Sequence, residues 1–504
     1  MKKKFLSILM LCLISVFAYA QNDFQTGLII DNTSDAAYQD AGTLAKDFSA
    51  GGKNGELPLK SNLKEYCPPI QSQGRIGSCV GWATGYGAMS ILYAKKYNWS
   101  AAERAEKAFS ALYIYNQIKV RDCSLGSRID QAVNFLETNG NVPSSQFDMP
   151  REDCDKQPTT GEKAIAQKFK VKASSTLFTL NADNKTKIYN TKKSVAKGVP
   201  VIIGMEILRN FGSLTKSASV WDPSAGNTAP WGGHAMVVIG YDEGRQAFEI
   251  MNSWGTNWGN DGFIWVKYAD YARFCKYGYQ IFLDEAKEEP KPDEPKPDDP
   301  KPADPVVILN GSFYYRFPIF DENNPSDEIQ FENAVVTKKG DYTYEMKRKD
   351  WEAGQMFQLL AKNLKRGSYV YVFSIDANKK AMVHWPRNKG LSQEFAIDGL
   401  TEKPLVPYSG ETIIVPGEGT ALVKEVSGTD HVFILYSNEE LTNIKNIIQS
   451  LRTSSDFEGA LEGELGGMLI PANEVNYYDG EMKFSVRSSS GGFVVPIILE
   501  QEGE

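Results

Sequence analysis

Four residues of this 504-residue chain have the types and the order that acyl transfer on a thiol requires. Gln73 stands six positions before Cys79 in Gln73-Gly74-Arg75-Ile76-Gly77-Ser78-Cys79, His234 lies in Trp231-Gly232-Gly233-His234-Ala235, and Asn252 opens Asn252-Ser253-Trp254-Gly255. In such chemistry a thiolate attacks a carbonyl carbon and an imidazole moves the proton between thiol and leaving group. A side-chain amide oxygen holds the imidazole in one tautomer, and amide N–H groups receive the charge that builds on oxygen. Cys79, His234, Asn252 and Gln73 supply these groups in turn. The chain has three histidines, and His384 and His431 lie far downstream. A thiol–imidazole pair in the first half of the chain therefore has to use His234.

These groups work only if the elements around them bring them together. Gly77-Ser78-Cys79-Val80 passes from a glycine-containing loop into a helix-like stretch that runs to about Tyr97. A cysteine in a first helical turn meets unpaired N–H groups and the positive end of the helix dipole, which favour thiolate. Gln73 is placed to offer its side-chain N–H to an oxyanion, with the Cys79 backbone N–H as second donor. Ala235 to Tyr241 reads as a buried strand, Asp242 to Arg245 as a turn, and Ala247 to Asn252 as the returning strand. That hairpin places Asn252 beside His234, and Trp254 is expected to lie over their hydrogen bond and exclude water. Taken singly, each residue has a plainer fate: a buried structural thiol, or a core histidine. Their joint occurrence favours the chemistry.

Composition narrows the rest. The net charge of -8 and pI near 5.3 argue against nucleic acid as a main partner. Residues 285–305 hold eight acids and four lysines, net -4, so half of the excess is local. At roughly 100–200 residues per domain, two or three domains are expected. Lys2-Lys3-Lys4, the apolar run Phe5 to Phe17 and Ala18-Tyr19-Ala20 read as a secretory signal over residues 1–20, cleaved before Gln21. The apolar run is too short to span a bilayer, and no later segment reads as transmembrane. Leu11 before Cys12 is too large for a lipid-attachment site. Export to the periplasm, the cell surface or the medium follows, where disulfides persist. Of six cysteines, five lie beyond the signal, and an odd count leaves one free thiol. Cys79 is the candidate for it.

Four regions follow the signal. Residues 21–56 are polar and read as an irregular lead-in, and residues 57–284 as one globular unit. Residues 285–305 repeat Pro-Lys-Pro with acids between, a polyproline II spacer of ~3.1 Å per residue, roughly 60 Å in all. Residues 306–504 alternate short Val/Ile/Tyr/Phe runs with turn residues, the pattern of an all-β sandwich. One amphipathic helix is expected at Asn438–Arg452, where Leu441, Ile444, Ile447, Ile448 and Leu451 recur at helical spacing. His384 and His431 have no Cys or acidic partners at metal-ligand spacing, and no cofactor or metal is implied. The exposed aromatics of this region would suit a surface or protein ligand.

Together the Gln73–Cys79 spacing, His234 before a hydrophobic strand and the Asn252–Gly255 run resemble the papain family of cysteine peptidases over residues 57–284. The resemblance implies an α+β, two-lobed fold, with a helical lobe carrying Cys79, a β-barrel-like lobe carrying His234 and Asn252, and a cleft between them. It implies hydrolysis of protein or peptide substrates through a thioacyl-enzyme. It also makes Cys123-Ser124-Leu125-Gly126 a wall for substrate backbone, with Gly126 as the hydrogen-bonding residue and Trp254 and Gly233 also lining the site. Departures from the family pattern matter. Ile76 and Val80 stand where the signature has Cys and Trp or Tyr. Without a cysteine at 76, the resemblance leaves Cys123–Cys154 as the preferred disulfide and Cys67–Cys275 as the remaining pair. His234 follows Cys79 by 155 residues, against about 130–150 in the signature, which leaves room for insertions around 155–185 and 212–230. Residues 21–56 are too few for the family's large helical inhibitory prosegment, so any activation differs. Arg128, beside the substrate wall, reads as a solvated helix-start residue or as a basic group facing an acidic substrate side chain. Val370–Arg387, Gly417–Thr420 and Asp430–Asn438 resemble an uncharacterised β-domain fused to bacterial peptidases and kinases. Two alternatives stay open: a transpeptidase or amidase using the same four groups, and a non-catalytic papain-fold binding protein.

Overall fold

The computed structural model describes residues 24–30, 57–147, 153–283, 306–319, 330–386, 403–408, 410, 412–416 and 421–503. The residues read from sequence as a secretory signal, most of those read as a lead-in and the Pro-rich stretch 285–305 lie outside the described residues. The described residues divide into two compact units, one built from 24–30, Leu59–Lys170 and Asn184–Tyr279, the other from Val171–Asp183 and the described residues from Gln280 onward. No helix among the described residues is long and apolar enough to cross a membrane.

On the helical side of the first unit, α1 (Cys79–Gly81) continues through a π-helical stretch (Trp82–Met89) into α2 (Ser90–Tyr97). Every residue from Cys79 to Ala94 is buried. A helix buried all round needs neighbours on every side. Small residues let them approach: a Cβ at Gly81 would collide with the Ala111 carbonyl of α3 (Ala111–Ile118). The Ser110 hydroxyl caps α3 by accepting from the Tyr113 N–H, and α4 (Ile129–Thr138) packs its apolar face inward at Ile129, Ala132, Val133 and Leu136. Asn98, left-handed at φ 49°, ends α2.

The sheet of this unit contains β1 (Lys60–Asn62), β2 (Val201–Leu208), β3 (Pro230–Asp242), β4 (Ala247–Met251), β5 (Phe263–Lys267) and β6 (Cys275–Phe282). Its antiparallel order runs β6-β2-β3-β4-β5, with β1 on the end of β3 at Gly240–Asp242. The β-barrel-like lobe expected from sequence is therefore an open sheet, in which β5 and β6 do not pair. Closure needs a continuous ladder around the barrel. Here the chain passes from β5 to β6 through a helix (Tyr268–Phe274), whose Tyr271 ring packs 4.4 Å from that of Phe248.

Cys123 and Cys154 form a disulfide, their Cα atoms 5.7 Å apart. Cys67 and Cys275 do not pair, which corrects the second disulfide and the count of one free thiol: Cys67, Cys79 and Cys275 are all free and buried. The Cys67 thiol points to the Leu63 carbonyl, whereas Cys275 opens β6 opposite Met205. Burial raises the pKa of both thiols well above the usual value.

The second unit is β-rich, two sheets enclosing one core. One sheet centres on Asp430–Ser437 between Tyr369–Ile375 and Val494–Gln501, the other on Val307–Ile319 between Met356–Lys362 and Met482–Ser488. Leu309, Tyr315, Trp351 and Leu359 meet Val370, Ile434, Val495 and Ile497 between them. Two helices interrupt the strands, α5 (Ile444–Thr453) and α6 (Phe457–Leu465). The helix expected from Asn438 begins at Ile444, because the Asn438 N–H donates to the Phe493 carbonyl and the Leu441 N–H to the Tyr371 hydroxyl. Gly459 and Gly463 weaken the helical signature of α6, which sequence reading missed.

Candidate active site

Cys79 begins α1 and is fully buried. Its thiol is pushed up to about 11 by burial, against the downward pull of N–H groups from Ala235, Gly27, Val80 and Cys79 itself. The Ala235 N–H that reaches the sulfur belongs to the residue after His234, so β3 delivers the imidazole to the start of the helix.

The hairpin expected from sequence is formed by β3 and β4, with Val237 opposite Met251. His234 lies within β3, paired with Met205 of β2, and Asn252 directly follows β4. His234 Nε2 and Asn252 Oδ1 are 2.7 Å apart in a buried setting. An amide oxygen only accepts, so Nε2 carries the proton and Nδ1 is left with its lone pair. Nδ1 makes no hydrogen bond. Burial lowers His234 to about 4, and the bond to Asn252 opposes that shift. The Trp254 ring stacks on the imidazole at 4.3 Å and 25°. Trp254 is itself held edge-on by Trp258, whose indole N–H donates to the Phe211 carbonyl.

Gln73 is tied to the same strand end. Its backbone N–H donates to the Ser253 carbonyl at 2.8 Å, and the Ser253 hydroxyl donates to its Oε1 at 2.7 Å. With Oε1 committed, the amide turns its Nε2 toward the Ile76 and Gln25 carbonyls, each at 3.0 Å. Ser253 was not singled out from sequence, although it adjoins Asn252 in the same motif.

The larger omission is the segment 24–30, read from sequence as part of an irregular lead-in. It is extended and sits among the site residues. The Gln25 carbonyl takes the Gln73 amide, and the Phe24 ring lies parallel to Trp254 at 4.9 Å. The Leu28 N–H donates to the Gly233 carbonyl, the Ile29 N–H to the Ser127 carbonyl, and the Ser127 N–H to the Gly27 carbonyl. Backbone pairing on the Cys123–Gly126 wall thus goes through Ser127, and Gly126 lies directly against Gly27. Gly126 has φ +78°, and a Cβ there would strike the Gly27 carbonyl. Arg128 pairs with Asp130 at 2.8 Å, which accounts for its charge without a substrate group. The one signal for this segment is the run Gly27-Leu28-Ile29-Ile30 in an otherwise polar stretch. Among the described residues, Cys123, Cys154 and Asp155 could approach one ion together, but the two cysteines are in the disulfide.

A buried thiol at a helix start, an imidazole bonded to an amide oxygen, and a glutamine amide tied to the same strand end are the groups of a candidate cysteine-protease type of site. Residues 58–282 match the model of the papain family cysteine proteases. Cysteine proteinase 3 of Solanum lycopersicum is 27% identical over 203 residues, covering 39% of this chain and 51% of the relative. Peptidase 1 of Dermatophagoides pteronyssinus is 25% identical over 257 residues, 48% of this chain and 71% of the relative. The chain spans about half the length of most curated relatives it matches. Among solved structures, xylellain, a cysteine protease from Xylella fastidiosa, aligns at 23% identity and a TM-score of 0.41 over 52% of this chain and 97% of its own.

Proposed function

We propose that the chain is an exported cysteine peptidase that hydrolyses peptide bonds in protein or peptide substrates through a thioacyl intermediate. The observation that carries this reading is the buried His234–Asn252 hydrogen bond, 2.7 Å long, which leaves Nδ1 as the basic nitrogen on a residue whose neighbour already touches the Cys79 sulfur. In this reading Nδ1 takes the thiol proton, and the sulfur adds to the substrate carbonyl carbon. The π electrons move to oxygen, where Gln73 Nε2 and the Cys79 N–H receive the charge. Collapse breaks the C–N bond, and the amine leaves with the proton from Nδ1. Water then gives a proton to the same nitrogen and its oxygen to the thioester carbon, releasing the acid and restoring Cys79. Residues 306–504 serve as an accessory domain tethered by the Pro-rich spacer 285–305.

Labelling of the full chain with an epoxysuccinyl probe, mapped by mass spectrometry, tests the assignment. Modification confined to Cys79, lost in His234→Ala and absent from Cys67 and Cys275, is the expected result. Equal modification of all three thiols, or peptide hydrolysis retained by a folded Cys79→Ala variant, would remove it. A product carrying an added amine would turn the reading toward transpeptidation.

A further inference from the structure

We infer that the outer face of one sheet in the second unit binds a linear acidic polysaccharide, a carbohydrate chain with carboxylates on its rings. The face belongs to the sheet centred on Val307–Ile319. Side chains alternate along a strand, so Leu309, Phe313, Tyr315 and Phe317 fill the core while Asn310, Ser312, Tyr314 and Arg316 point the other way. The register carries this outward row onto the neighbouring strands. Lys362 and Lys483 stand opposite Ser312 on its two sides, Arg487 stands opposite Ile308, and Asn333 opposite Arg316. Arg316, Lys362, Lys483 and Arg487 thus share one surface. No outward strand position of this sheet holds Asp or Glu, in a chain whose 63 acids outnumber its 55 lysines and arginines.

Aromatic rings, not carboxylates, fix three of these cations. Arg316 lies over Phe331 at 4.0 Å, Lys483 over Tyr478 at 4.5 Å and Lys362 over Tyr314 at 5.2 Å. Gln358 Oε1 accepts from Arg316 Nε and Nη2 at 2.9 and 2.7 Å and holds the guanidinium in one plane. Among the described residues none of the four cations pairs with a carboxylate. Arg316 is half-buried, and burial lowers its pKa. A charge drawn from water without a counter-ion is costly, and an arriving carboxylate would supply one. Exposed amides at Asn310, Asn333 and Asn476 stand among the cations, and each both donates and accepts, as sugar hydroxyls do. Beside Tyr314 the strands Met482–Ser488 and Gln330–Asn333 leave a gap along Val307–Ile319. The hollow there, about 180 Å³, is lined by Tyr314, Asn333, Glu481 and Lys483 and has room for a single ring. Single-stranded nucleic acid needs open ring faces for its bases, and here the cations lie on those faces. An acidic peptide that pairs through its main chain needs a sheet edge, not a face.

The test is affinity electrophoresis of the full chain through gels containing polygalacturonate, with neutral dextran, polyglutamate and oligodeoxythymidylate as comparison polymers. Polygalacturonate should retard the protein despite the like net charge, dextran should not, and the other two should act more weakly. Added salt should reduce the retardation. The double variant Lys362→Glu/Arg487→Glu changes two exposed positions and should bind about tenfold more weakly or less, since two attractions become repulsions. Arg316→Gln is the second variant, and thermal melting checks the fold of both. Absence of retardation by polygalacturonate, or equal retardation of wild type and both folded variants, would overturn the inference. Tighter binding of polyglutamate, of oligodeoxythymidylate or of a synthetic peptide of residues 285–305 would assign the face to that partner and overturn it as well.

Discussion

Asn252→Ala isolates the contribution of imidazole orientation. Asn252 is 3% exposed and His234 fully buried, so water cannot replace the lost acceptor without opening the site. An unpaired donor in such surroundings costs about 1–3 kcal/mol. The imidazole would be free to take the other tautomer, whose protonated Nδ1 cannot accept the thiol proton. If that cost falls on the reactive state, kcat/KM drops roughly 5- to 150-fold, at about 1.4 kcal/mol per decade. The assay is hydrolysis of a fluorogenic peptide by the full chain and by its Asn252→Ala variant. The fall should appear in kcat, because Asn252 touches the base and no substrate atom. A kcat/KM within about twofold of the parent, in a protein melting normally, would refute the orienting role.

Ser253→Ala should act through Gln73: without the hydroxyl that donates to Oε1, the amide is no longer fixed. We expect kcat to fall by about tenfold with KM little changed, and Ser253→Thr to restore most of it. Acid should weaken the fold through His234. Burial lowers the imidazole from 6.5 to about 4, so the folded chain holds it neutral while the unfolded chain binds a proton, and stability falls as pH drops through this window. The full shift corresponds to about 3 kcal/mol. Denaturant unfolding at pH 7 and pH 5 should show a larger loss in wild type than in His234→Ala, and equal losses would contradict it. Replacing Cys123 and Cys154 by serine opens a loop with sequence separation 31. It should cost about 3–4 kcal/mol of stability, measured by denaturant unfolding.

The site was legible because its groups carry local signatures. Cys79 announces its helix start through Gly77-Ser78, and the turn Asp242 to Arg245 sets which residues of the hairpin meet. What was missed depends on contacts between distant segments. Leu28 and Ile29 gain their extended form from the Gly233 and Ser127 backbone, 98 and more residues downstream, and nothing adjacent to them records it. The helix expected at Asn438 loses its first turn to Phe493 and Tyr371, partners that also lie far along the chain. Periodicity shows that a strand is buried but not whether its sheet closes, and so the open order of β6-β2-β3-β4-β5 was read as a barrel. Cysteine arithmetic failed for the same reason, since pairing depends on where each thiol is carried by the fold.

The buried thiols also give the chain its own reporter of unfolding. Cys67 and Cys275 are free and buried, and burial raises both well above the usual thiol value. The thiolate is the form that reacts, so an alkylating reagent reaches these two only when their surroundings open. The rate of their modification then measures the opening of the fold rather than the chemistry of the site.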